Sequence, residues 1–262
     1  DQEASAFTVS YSAPSKENII LSLPMGDGAP IVDENGQKTP WKTNPITQRK
    51  DIVIRKPGVY GKDIIVNKNV REFPDMIGQS ESIRKAAAFF YDMGIVAGTS
   101  ADTFSPELPL NRAQSARLFT LTANWYNQYS DGRYVDVRPE DWFFGAAGSA
   151  KEKGIMTGTN AAGNLFSPYW AISRVQFFSI AGRMLRLKMH YYVIPEDSLE
   201  QVLDYTDRPS LPDWALQDIA LVTKVGLVRQ NSGKIFDPDH IMTRAESLEA
   251  LYALHEKLWP AT

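Results

Sequence analysis

An aromatic residue, any one residue and a proline occur together three times in this chain, each time with an arginine eight residues after the aromatic: FSPELPLNRAQ from Phe104, FSPYWAISRVQ from Phe166 and FDPDHIMTRAE from Phe236. A motif returning at long, nearly regular spacing marks one supersecondary unit used repeatedly. Such a unit buries its apolar face only by packing on its copies. The arginines, Arg112, Arg174 and Arg244, stand 62 and 70 residues apart, and the longer interval holds the connector from Leu187 to Tyr205.

Each copy opens on aromatic-x-Asp: Phe73 to Asp75, Tyr134 to Asp136 and Tyr205 to Asp207. A first helix is expected after each opening, stopping at Gly94, Gly154 and Gly226, and a second helix is expected to start at each arginine. The first helices carry an apolar stripe at i, i+3, i+4 and i+7, as Ile83, Ala86, Ala87, Phe90 and then Phe143, Ala146, Ala147, Ala150. In the third copy the same places hold Ala215, Asp218, Ile219 and Val222, so an acid replaces one apolar residue. The second helices repeat the pattern with Ala116, Phe119 and Ala123, with Phe178, Ala181 and Leu185, and with Leu248, Leu251 and His255. Small residues facing large ones predict closely packed helices, hence a mainly α architecture of three helix–loop–helix units in a bundle.

Residues 1–70 read differently. Short β-branched runs, Phe7 to Tyr11, Asn18 to Leu23, Asp51 to Lys56 and Lys62 to Lys68, are separated by turn signals such as Asp27-Gly28 and Pro57-Gly58. They predict about four strands, either a small β domain or the end of a β-sandwich. The short join at Asn69 to Glu72 implies that this part packs on the helical part.

At 262 residues with a net charge of −3, the chain has no dominant basic surface, which argues against bulk nucleic-acid binding. It has no cysteine, which excludes disulfides and thiolate chemistry. Neither a signal-like start nor an apolar run long enough to span a bilayer is present, so no membrane span is expected. The histidines His190, His240 and His255 lack metal-ligand spacing, and neither a phosphate-binding glycine loop nor a nucleophile elbow occurs. No catalytic residue, metal or cofactor is expected.

The second helices begin Asn111-Arg-Ala-Gln114, Ser173-Arg-Val-Gln176 and Thr243-Arg-Ala-Glu246, which fits the reciprocal capping box. Capping accounts for the first and last residues of each string, not for the arginine, whose charge opposes the helix dipole. Two readings of the arginine stand side by side. It forms an ion pair with an acid of a neighbouring copy, Asp75, Asp136 or Asp207, or it holds an anion together with free N–H groups of the helix start. Acid-Trp pairs, Asp141-Trp142 and Asp213-Trp214, open two first helices, where an indole serves either the core or a sugar face. Gly98-Thr99 and Gly158-Thr159 offer close backbone approach and a hydroxyl.

Taken together, the aromatic-x-Asp opening, the tryptophan, the GIVAGT and GIMTGT strings, the F-x-P turn and the TRAE-like helix start resemble S-layer homology domains, present as a triplet over about residues 71–259. The copies would span 71–130, 131–195 and 196–262. The resemblance implies a pseudo-threefold helical bundle that anchors a secreted surface protein noncovalently to the bacterial cell wall or S-layer, without enzymatic activity. It implies a secondary cell-wall polysaccharide, often ending in a pyruvylated amino sugar, held in grooves between copies. Peptidoglycan is the alternative ligand, and surface-layer self-assembly through Tyr169, Trp170, Tyr191 and Tyr192 the alternative role.

A ketal pyruvate is a carboxylate, which suits Arg112, Arg174 and Arg244 as ligand-binding residues. Trp142, Trp214, Asp141 and Asp213, with Gly98, Thr99, Gly158 and Thr159, complete the expected site set. The copies depart from the family pattern unequally: the first has Ser82 in place of tryptophan, the third has Gln230-Asn231 in place of Gly-Thr, and only the third keeps TRAE. With Trp142, Gly158, Thr159 and Arg174, the second copy carries every element, so one or two competent grooves are expected.

Overall fold

The computed structural model describes residues 73–92, 95–100, 102–188, 192–228 and 233–258, together with the backbone of six strands nearer the start. Gly94, His190, Tyr191, Gln230, Asn231 and the join at Asn69 to Glu72 lie outside the described residues. Two compact units divide the chain, one formed by Asp1–Gln79 with Ala87–Phe104, the other by Ser80–Ala86 with Ser105–Thr262.

In the first unit, β1 (Ser5–Ser10) pairs antiparallel with β6 (Asp63–Lys68), and β3 (Ile31–Val32) lies on the other side of β6. A second sheet places β5 (Lys50–Ile54) between β2 (Ile19–Leu23) and β4 (Lys42–Thr43), again antiparallel. Each of the four β-branched runs overlaps one of the four longer strands, with β1 and β5 starting two residues and one residue earlier than expected. β3 and β4, two residues each, are added by pairing with a longer neighbour.

Helices dominate the rest: α1 (Glu81–Asp92), α2 (Arg112–Thr122), α3 (Phe144–Glu152), α4 (Arg174–Lys188), the single turn α5 (Leu199–Val202), α6 (Leu216–Lys224) and α7 (Arg244–Leu258). The second helices start at the arginines, as the caps predict. Two first helices stop at Gly154 and Gly226, both left-handed, with φ of 67° and 70°. The amides that follow, of Ile155 and Leu227, donate back to Ala150 and Val222, which closes the last turn.

The aromatic-x-Asp and aromatic-x-Pro motifs turn out to be two halves of one device. The middle residue of each turn, Ser105, Ser167 and Asp237, is left-handed at φ of 58°, 56° and 57°, a conformation that costs a non-glycine residue roughly 1–2 kcal/mol. The opening aspartate of the same copy holds that turn. Asp136 accepts the amides of Phe166 and Ser167, both at 2.7 Å. Asp207 accepts those of Phe236 and Asp237 at 2.9 and 2.7 Å, and Asp75 accepts that of Phe104 through both oxygens. Hydrogen bonds to a charged acceptor are worth roughly 1.5–3 kcal/mol each, enough to offset the strain. The opening aromatic then packs on the turn phenylalanine, with ring centroids 5.4 Å apart for Phe73 and Phe104, 5.1 Å for Tyr134 and Phe166, and 5.5 Å for Tyr205 and Phe236.

Within the second unit, the segments just before the three arginines meet in a closed ring. Leu110 donates its amide to Met242, Met242 to Ile172, and Ile172 to Leu110, at 2.8, 3.1 and 2.9 Å. This cyclic arrangement is the pseudo-threefold relation expected of a triplet. Around it α2 packs on α3, and α4 packs on α6 and α7. Most of the predicted stripes are core: Phe143, Ala146, Ala147 and Ala150 are buried, as are Phe119, Phe178, Leu185, Leu248 and Leu251, whereas Ile83 and His255 are half-buried and Leu254 takes the core place beside His255. At the α4–α6 crossing, a Cβ on Gly182 would stand 2.7 Å from the Asp218 carbonyl oxygen, so only glycine allows that approach.

Candidate functional site

Arg112 is 7% exposed and does not reach Asp136 as an ion pair. Its Nε donates to the Phe166 carbonyl and its Nη2 to the Thr157 carbonyl, each at 2.8 Å, and its guanidinium lies 5.1 Å from the centre of the Phe166 ring. Nη1 makes no hydrogen bond among the described residues. Burial pulls the Arg112 pKa below its ordinary value, Tyr134 and Asp136 act the other way, and Arg183 adds to the lowering.

The helix-start amides are not free, contrary to the sequence-based picture of an anion seated on them. Arg112 N–H donates to Trp170 O and Ala113 N–H to Pro168 O; Arg174 N–H donates to His240 O and Val175 N–H to Pro238 O; Arg244 N–H donates to Leu108 O and Ala245 N–H to Pro106 O. The next amide of α2 is taken by the Asn111 cap, and that of α7 by Thr243. Any anion must therefore be met by side chains.

A cavity of about 410 Å³ opens beside Arg112. Its wall takes Arg112 from the first copy, Gly158 and Thr159 from the second, and Trp214 from the third, so four of the expected site residues share one groove. A Cβ on Gly158 would fall 2.4 Å from the Gly163 carbonyl carbon, so the close packing of its own loop requires glycine there. The Thr159 hydroxyl is 2.8 Å from that of Ser167 and 3.0 Å from the Leu165 carbonyl. Trp214 is 54% exposed and Trp170, on the same groove, 64%.

Arg183, which the sequence reading did not single out, also lines this groove, and Asp218 behind the wall holds it. Arg183 donates from Nε to Asp218 at 3.1 Å and from Nη1 to the Ile155 carbonyl at 3.1 Å, and lies 5.9 Å from the Trp214 ring. Asp218 is 1% exposed and also meets Arg186 at 2.6 Å. Burial raises the Asp218 pKa, and the two arginines pull against it. The available signal was the acid interrupting the α6 stripe, which needed basic residues on a facing helix.

Arg174 lines a second cavity, of about 370 Å³, on α4 and α7. Its guanidinium sits 5.5 Å from the rings of Phe178 and Phe236, and its buried Nε has no partner. Here the wall includes Lys85 but also Glu246, Glu249 and Glu256. Glu249 accepts the Ser82 hydroxyl, and Glu246 holds His240 at 2.9 Å while accepting the Thr243 amide.

The remaining expected residues line neither cavity. Arg244 is buried; Trp142 is 48% exposed and packs edge-on against Phe143; Asp141 accepts the Arg138 amide; Asp213 is exposed. Gly98 and Thr99 belong to the first unit, where the Thr99 amide and hydroxyl both donate to the Thr103 carbonyl.

Residues 72–116 and 204–246 match the S-layer homology domain. The chain thus carries S-layer homology sequence at two places, and that domain implies anchoring of surface proteins to the cell wall. Over 163 residues, 62% of the chain, it is 28% identical to the exoglucanase XynX of Acetivibrio thermocellus and, to the same extent, to an amylopullulanase of Thermoanaerobacterium thermosulfurigenes. It is 23% identical over 166 residues to the surface-layer 125 kDa protein of Lysinibacillus sphaericus. These matches span only 14%, 8% and 13% of the respective relatives. Among the described residues no helix is long and apolar enough to cross a membrane, and no acidic or histidine cluster could hold a metal ion.

Proposed function

We propose that this chain anchors a secreted surface protein to the bacterial wall by binding an acidic secondary cell-wall polysaccharide in the Arg112 groove. The repeats at 71–130, 131–195 and 196–262 act as one module, and the ligand end is a pyruvylated amino sugar. One observation carries the reading. The groove combines two arginines with two exposed indoles and has no carboxylate on its wall. Guanidinium suits a carboxylate, and indole suits a sugar face.

Purified wall sacculi test the proposal. The protein should sediment with native sacculi and stay in solution when their secondary polysaccharide has been stripped. Retention on stripped sacculi would assign the affinity to peptidoglycan instead.

A further inference from the structure

Arg183 is oddly over-supplied with charge. One buried carboxylate, Asp218, serves two guanidiniums, Arg183 at 3.1 Å and Arg186 at 2.6 Å, so the cluster keeps a positive charge in excess. Like-charged Arg112 is near enough for Arg183 to weaken its protonation, and both line the same groove. Two guanidiniums on one wall repel each other, and no carboxylate lines that wall beside them, so an anion seated between them would relieve the repulsion. Nε and Nη1 of Arg183 are engaged, while Nη2 makes no hydrogen bond among the described residues. On the same wall, Ser179 is 1% exposed and its Oγ has no hydrogen-bond partner. A buried hydroxyl without a partner is costly and calls for one from a ligand.

We infer that Arg183 is a second anchor of the groove, so that the acid group of the saccharide is received by Arg112 and Arg183 together with the Ser179 hydroxyl. Asp218 is the positioning residue: its bond to Nε fixes the plane of the guanidinium and leaves the outer nitrogen for the ligand. The inference rests on the anchoring reading above and adds a requirement, that the ligand be carboxylated and bridged.

The test compares wild type, Arg183→Gln and Arg183→Lys on native sacculi and on sacculi whose ketal pyruvate has been removed by mild acid. On native walls Arg183→Gln should bind about tenfold more weakly than wild type, with Arg183→Lys between them because it keeps the charge and loses the fork. On acid-treated walls all three should bind alike. Wild-type affinity in Arg183→Gln, or a deficit that persists unchanged on acid-treated walls, overturns the inference and leaves anchoring intact. Equal wild-type binding to both walls does the same. If wild type is not retained by native walls at all, the anchoring reading fails and this inference with it. Should Arg183→Gln not fold, as judged by circular dichroism, the Arg183→Lys pair of measurements decides by the same criteria.

Discussion

The Arg112 and Arg174 grooves are built from the same places of the repeat and carry opposite chemistry. Where the first has Ser179 and Arg183 on α4, the second has Glu249 and Ala253 at the equivalent places on α7; where the first has Trp214, the second has Ser82. Gln176, on the first wall, is matched by Glu246 on the second. A common backbone thus supports one groove with two arginines and no acid, and another in which Arg174 and Lys85 face three glutamates. The arginine at the helix start is shared, so it is a property of the fold, and what distinguishes the grooves lies on the second helix of the next copy and at the start of a first helix.

The largest expected difference is in stability. Arg112→Met should destabilise by about 3 kcal/mol, because the buried Phe166 carbonyl and the part-buried Thr157 carbonyl each lose a hydrogen bond from a charged donor. Arg174→Met should cost about 1 kcal/mol, since the buried Nε of Arg174 has no bond to lose. Urea denaturation of both variants decides; equal costs would show that the two arginines are equivalent supports. Next, Asp218→Ala should cost about 2 kcal/mol by leaving two guanidiniums unpaired at the α4–α6 crossing. The value is set below that of a fully buried pair because Arg183 and Arg186 are 22% and 29% exposed. The same variant should weaken wall binding, and undiminished binding would separate Asp218 from the groove.

A smaller effect should come from converting the second groove. Glu249→Ser with Ala253→Arg places the first groove's chemistry around Arg174, and calorimetry with a pyruvylated amino sugar should then show a second, weaker site, gaining about 1 kcal/mol over its former affinity. An unchanged stoichiometry would mean that charge alone does not define a competent groove and that the indole at Trp214 is required.

Much of this was readable from residues alone, for specific reasons. The longer strands announce themselves because a β-branched run bounded by turn residues has few other uses, whereas β3 and β4 are too short to hold a pattern. Helix starts and stops follow from local chemistry, the capping pairs and the left-handed glycines. The role of Asp75, Asp136 and Asp207 was not legible, since each acts on a turn about 30 residues away, and an acid near an arginine reads first as its partner. The clue was that the two motifs never occur apart. Nor was the groove legible by comparing copies one at a time. The second copy is complete in sequence, yet its arginine and its Gly-Thr line different cavities, because each groove is made where neighbouring copies meet.

The smallest effect is a pH dependence confined to the second groove. Burial favours the neutral form of the Glu246 carboxyl, but the Thr243 amide and the His240 ring outweigh it, so its pKa lies below the ordinary 4.5. A carboxyl with a depressed folded-state pKa contributes stability that is complete above its unfolded value and is lost as pH falls through the folded one. Gln176, its counterpart in the first groove, does not titrate. Glu246→Gln should therefore lower stability by a few tenths of a kcal/mol at pH 6, a value kept small because the Glu246 side chain is 38% exposed. That deficit should shrink when the pH is taken below the depressed folded-state pKa, where the wild-type carboxyl is protonated. Urea midpoints at both pH values check this, and a constant deficit would mean that the Thr243 cap works equally well with either side chain and that the acid in the second groove has no structural task.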